Sequence, residues 1–159
     1  KNFLNQFWLT NEKKPSETYG NYYETNFTGE LEVGKYFRVE LLLRESYRDS
    51  ISKVFFLAPK EHYSVLKSDF SNYKEVEFDT IQSVVNDNIP NNETYKEEYW
   101  AKRSIVYNTG FAEEGKNYIR GILVERKDTS YVDENENMIK YIDRYLFVNK
   151  EVYIGKDAE

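Results

Sequence analysis

The chain has 159 residues, a net charge of −6 from 28 acidic and 22 basic side chains, and no cysteine. The length suits a single globular domain over residues 1–159, able to bury roughly 70% of its unfolded surface. The missing thiols exclude disulfides, iron–sulfur clusters, thiolate metal sites and cysteine nucleophiles. The acidic excess disfavours nucleic acid and anionic lipid and favours a cationic protein partner.

Aromatic residues make up 17% of the chain, with fifteen tyrosines and ten phenylalanines. Rings bury more area than aliphatic side chains, which offsets an apolar fraction of 40% and argues for a folded chain. No apolar run approaches the roughly 20 residues that span a bilayer. The first residue is Lys1 rather than methionine, and Lys, Asn, Ile and Tyr are abundant. A removed leader is one explanation of that start and a cleaved tag or trimmed domain another; the expectation is a bacterial protein, periplasmic, extracellular or lipid-anchored, with a cytoplasmic location as the alternative.

Phe3, Leu4, Phe7 and Trp8 recur at helical spacing and predict a short amphipathic helix over 2–9. Residues 11–18 are polar, contain Pro15 and read as a loop. Tyr19, Tyr22, Tyr23 and Phe27 lie among Gly, Asn and Thr and predict an edge strand. Across 30–45, Leu31, Val33, Phe37, Val39, Leu41 and Leu43 alternate with charged residues, the clearest strand signal in the chain. Ser52–Leu57 is a second strand. Its run Val54-Phe55-Phe56-Leu57 is apolar on both faces, which predicts a central position in a sheet. With the turn Ser46–Ser50 between them, these two segments predict an antiparallel hairpin.

Pro59, Tyr63, Leu66 and Phe70 follow at helical spacing and predict a second helix. Val76 and Phe78 alternate with acidic residues as a one-sided strand. Ile81, Val84, Val85 and Ile89 predict a third helix behind the cap pair Asp79-Thr80. Strands are expected over 99–107, 118–126 and 138–148, and Asn149-Lys150 as a tight turn into Val152–Ile154. The fold class is α+β or mainly β: an antiparallel twisted sheet of about seven or eight strands, as a barrel or sandwich, with about three short helices. Gly34-Lys35-Tyr36-Phe37-Arg38 and Gly115-Lys116-Asn117-Tyr118-Ile119-Arg120 echo each other weakly, and no longer repeat divides the chain.

Chemistry-bearing motifs are scarce. His62 is the one histidine, with Ser64 and Asp69 near it in sequence but no Gly-x-Ser-x-Gly elbow, so it reads as a surface residue. One histidine without cysteine cannot supply a zinc site. Asp133, Asn135 and Asn137 begin a calcium-loop pattern that fails at Met138, where glycine is needed, and at Arg144, where a carboxylate is needed. Phosphate-binding glycine loops do not occur. Tyr99, Arg103, Tyr107, Tyr118 and Arg120 could stack on bases, but Glu97, Glu98, Glu113 and Glu114 are interleaved and oppose a nucleic-acid partner. The glycosylation-type triplets at Asn26 and Asn92 occur at the frequency expected of an Asn-rich chain.

These observations predict a non-catalytic binding protein that recognises another protein, an immunity protein that blocks a toxin being the concrete version. Its expected contact patch is acidic: Glu113, Glu114, Asp133, Glu134 and Glu136. The alternative is a small-ligand carrier whose β-barrel cavity is lined by Phe37, Phe56, Trp100 and Tyr145. A hydrolase with paired acid–base carboxylates is a third reading. No cofactor, metal or catalytic residue is assigned.

Overall fold

The computed structural model describes residues 7–11, 14–21, 23–44, 52–84, 98–132 and 138–156. Nine strands follow one another along these segments: β1 (Phe7–Asn11), β2 (Lys14–Asn21), β3 (Tyr23–Gly29), β4 (Phe37–Leu43), β5 (Lys53–Pro59), β6 (Phe78–Gln82), β7 (Ser104–Thr109), β8 (Gly115–Val132) and β9 (Met138–Ile154). β1 and β2 form a two-stranded hairpin. The other seven build two antiparallel sheets, ordered β3-β4-β7 and β6-β5-β8-β9. The architecture is mainly β, and among the described residues no barrel closes.

Alternation decides which residues go inside. In β4, Phe37, Val39, Leu41 and Leu43 are buried while Arg38, Glu40 and Leu42 are only half-buried, the period-two pattern of a strand with one dry face. β5 contributes Val54, Phe56 and Ala58 to the same core. β8 adds Ile119 and Leu123, and β9 adds Leu146, Val148, Val152 and Ile154. The two sheets therefore pack face to face, and Phe56 of one stacks on Tyr107 of the other with ring centroids 5.7 Å apart. Backbone bonds tie the sheets along their margins, from Val84 N to Ser104 O and from Gly155 N to Leu31 O.

Gly121 fits this arrangement because a side chain would not. A Cβ there would lie 2.5 Å from Leu57 O and 2.3 Å from Cζ of Phe56, so the ring of Phe56 occupies the space that the glycine leaves.

The second face of the four-stranded sheet is covered over its middle by residues 60–77. Leu66 and Phe70 from this segment pack on Ile122, Val124 and Phe147, forming a smaller second core. The helix expected here is a three-residue 3-10 turn, Tyr63–Val65, followed by tight turns. Local side chains explain the difference. The Lys67 amide donates to Asn72 Oδ1, Asn72 Nδ2 donates to Val65 O, and the Ser71 amide donates to Asp69. Those bonds serve backbone groups that a helix would have paired with each other. Phe70 takes a left-handed backbone with φ of 57°. That conformation costs roughly 1–2 kcal/mol, which burial of its ring, about 1.5–3 kcal/mol, offsets.

Several other expectations are corrected. Phe7, Trp8 and Leu9 lie in a strand, not a helix, and residues 2–6 fall outside the described residues. Of residues 11–18, expected as loop, Asn11 ends β1 and 14–18 belong to β2, while 12 and 13 fall outside the described residues. Of the third expected helix, Ile81 belongs to β6 and 85–89 lie outside the described residues. Helical structure among the described residues is confined to the 3-10 turn and the four-residue α1 (Glu98–Ala101). β4 and β5 do not form a hairpin, because each is the inner strand of a different sheet. Asn149-Lys150 does not turn either: β9 runs straight through, paired there with Arg120 and Ile119 of the long β8. The central position expected for β5, between β6 and β8, is the one observed.

Candidate functional site

The two outer faces of the sandwich differ in chemistry. On the three-stranded sheet the outer face is charged and wet, with Arg38 paired to Glu40 at 2.9 Å and Arg44 to Glu24 at 2.8 Å. On the four-stranded sheet it is aromatic. Even-numbered residues of β8 point outward there, in the row Tyr118, Arg120, Ile122, Val124 and Arg126. The 60–77 segment covers Ile122 and Val124 and leaves a groove on either side, each containing one arginine.

The first groove, about 340 Å³, is lined by Phe55, Leu57, Thr80, Gln82, Val124, Arg126, Asp143 and Tyr145. Arg126 faces Asp143 directly across the β8–β9 ladder, and its Nε and Nη2 donate to the two carboxylate oxygens at 2.7 Å each. Its guanidinium also lies over the ring of Tyr141 at 3.9 Å and that of Phe55 at 5.3 Å. The carboxylate raises the Arg126 pKa above its ordinary value. The Tyr145 hydroxyl donates to Asp143 at 3.3 Å, and partial burial raises its pKa. Tyr141 and Tyr145 are 49% and 45% exposed. This is a rigid arginine clamped between rings, with two tyrosines turned to solvent.

The second groove, about 550 Å³, lies between the 60–66 turn and the β7–β8 connection. Tyr63, Phe111 and Tyr118 give it apolar walls, and His62, Lys116 and Arg120 give it cationic or protonatable groups. Arg120 donates from Nε to Asn149 Oδ1 at 3.0 Å, directly across the ladder, and from Nη1 to Leu66 O at 3.2 Å. Its guanidinium sits 4.9 Å from the Tyr118 ring. Lys116 pairs with Glu151 at 3.1 Å. The Tyr63 hydroxyl donates to Thr109 Oγ1 at 3.2 Å and lies 3.4 Å from the Tyr107 hydroxyl; burial raises the pKa of both tyrosines, that of Tyr107 strongly. His62 Nδ1 and Ser64 Oγ are hydrogen-bonded to each other. Asp69 does not complete a triad with them; its carboxylate accepts from the Ser71 amide, which lowers its pKa.

The residues singled out from sequence are distributed otherwise than expected. Phe37 and Phe56 are fully buried in the shared core, packed on Phe27, Phe111 and Tyr107. Trp100 is half-buried under the Arg44 guanidinium, 5.1 Å away, and Tyr145 stands on the outer face. These four do not surround one cavity. Glu113 and Glu114 are exposed just before Gly115, whereas Asp133, Glu134 and Glu136 lie outside the described residues, in the connection after Val132. Arg103 is buried and Tyr107 stacks in the core, so they offer bases no platform. Sequence reasoning missed Arg126, Asp143 and Tyr141. Their signal was the outward register of β8 and β9, legible only once the pairing of those strands is known.

No group of histidine and acidic residues suited to a metal ion occurs among the described residues, and no helix there is long and apolar enough to cross a membrane. No protein-family model, curated protein or solved structure matches this chain.

Proposed function

We propose that this chain is a non-catalytic binding protein that recognises another protein through the outer face of its four-stranded sheet. One observation carries the reading: Arg126 is held by Asp143 and clamped between Phe55 and Tyr141, beside the exposed Tyr145. Tyrosine and arginine are the side chains that enrich interface centres, and prior ordering lowers the entropy lost on contact. The contrast with the charged outer face of the other sheet supports the same choice. The contact site moves accordingly from the acidic loops expected from sequence to this aromatic face. The net charge of −6 favours a cationic partner in the encounter, and an immunity protein that blocks a toxin remains the concrete form, in an exported or lipid-anchored bacterial setting.

The test compares capture from lysate of the source cell by three baits: the unaltered protein, a Tyr141→Ala/Tyr145→Ala variant, and an Arg38→Ala/Glu40→Ala variant on the other sheet. The expected result is one stoichiometric protein, retained by the Arg38/Glu40 variant, lost with the tyrosine variant, and bound again when that partner is purified. Equal capture by all three baits, or no stoichiometric protein, sinks the reading.

A further inference from the structure

We propose that the groove between the 60–66 turn and the start of β8 is a binding site for a small organic anion bearing an aromatic ring, of the arylcarboxylate class. This inference does not rest on the protein-binding reading, because the 60–77 cover separates the two grooves.

The two arginines differ in how their charge is met. Arg126 has a bidentate carboxylate, so its charge is answered within the chain. Arg120 also makes two hydrogen bonds, but to neutral acceptors: the side-chain amide of Asn149 and the carbonyl of Leu66. It has no ion-pair partner among the described residues. A guanidinium carries five N–H donors, and two are committed here. The remaining fork matches a carboxylate in shape and charge. Lys116 is already matched by Glu151, and the acidic side chain that lines the groove is Glu113, on the exposed connection before β8. A ligand anion would supply the charge that the chain does not.

The walls of the groove suit a ring. Tyr63 and Phe111 stand against each other, centroids 5.8 Å apart at an interplanar angle of 45°, and both are half-buried. Tyr118 lies under the guanidinium of Arg120. A planar ring between these walls gains area burial and offset stacking while its carboxylate reaches Arg120. The volume of about 550 Å³ falls in the range of small-ligand sites, roughly 300–1,000 Å³. The Ser64 hydroxyl engages His62 Nδ1. In the neutral tautomer whose Nδ1 accepts that proton, Nε2–H is a further donor for the anion.

Titration followed by amide chemical shifts tests the proposal, with phenylacetate, its neutral amide phenylacetamide, and acetate as probes. The expected result is saturable shifts for phenylacetate confined to residues 62–66 and 111–120, with phenylacetamide and acetate each binding about tenfold more weakly. Arg120→Gln weakens phenylacetate about tenfold or more, Glu113→Gln tightens it about two- to threefold, and Arg38→Gln on the other sheet changes nothing. Should Arg120→Gln lose the native spectrum, Arg120→Lys and the probe series on the unaltered protein decide the matter. Acetate or inorganic phosphate binding as tightly as phenylacetate, parity of phenylacetamide with phenylacetate, or no saturable shift overturns the proposal.

Discussion

Arg120 and Arg126 project from the same face of β8, and each is anchored by the residue directly opposite it on β9, Asn149 and Asp143 respectively. The two rungs share their cross-ladder register and differ in electrostatics. The neutral anchor leaves a charge available in one groove, and the carboxylate cancels it in the other. Both grooves exist because Leu66 and Phe70 cover the residues between the arginines.

The Arg126–Asp143 pair is expected to be worth little to stability and much to the shape of the aromatic face. Arg126 is a third exposed, so solvent screens the pair. Asp143→Asn should lower unfolding free energy by about 1 kcal/mol, measured by urea denaturation, while weakening capture of the protein partner. A loss well above that would mean the rung is structural.

Glu125 and Arg144 face each other one rung away, on the inner face, with Arg144 Nη2 and Glu125 Oε2 2.5 Å apart and the Glu125 side chain 1% exposed. Removing one partner strands a buried charge. Glu125→Ala is expected to cost about 3 kcal/mol, the lower end for a broken buried pair because Arg144 keeps some solvent access. Replacing both by Leu and Met should recover most of that loss, which a double-mutant cycle in urea measures.

Gly121→Ala should destabilise the fold by about 3 kcal/mol, because the added methyl meets Phe56 and the backbone oxygen of Leu57. Trimming the ring with Phe56→Leu in the Gly121→Ala background should recover only part of the loss, since the carbonyl stays in place. Full recovery would show that the ring alone sets the constraint.

Tyr63 and Tyr107 give the protein an alkaline limit. Burial raises both pKa values above the usual value of about 10, so the folded state holds these protons more tightly than the unfolded chain. Stability is then fully present below about pH 10 and falls as pH rises past it. Tyrosinate absorbance should show these two hydroxyls ionising only with loss of the circular dichroism signal. Tyr107→Phe should unfold at higher pH than the unaltered protein, and an unchanged alkaline midpoint would contradict the assignment.

Much of the strand content was legible in the sequence. The alternation from Phe37 to Leu43 matches burial residue by residue, and the apolar run of β5 occupies the central place it predicts. The 59–70 segment misled because Tyr63, Leu66 and Phe70 have helical spacing, yet they are anchors on an irregular cover. Spacing records which residues are buried, and a turn-rich segment lying on a sheet can bury every third or fourth residue as a helix does. Asn72 and Asp69 held the distinguishing chemistry in their backbone bonds.

The sequence by itself determined a cysteine-free, acidic, strand-rich chain and which side of β4 is dry, because those properties follow from composition and from a local period of two. Only the tertiary structure decided that β4 and β5 belong to different sheets, that β8 and β9 pair along nearly their whole length, and that Arg120 meets Asn149 while Arg126 meets Asp143. Strand pairing joins residues far apart in the chain, and a local pattern carries no information about which distant strand supplies the opposite rung. The difference between the two grooves rests on that choice.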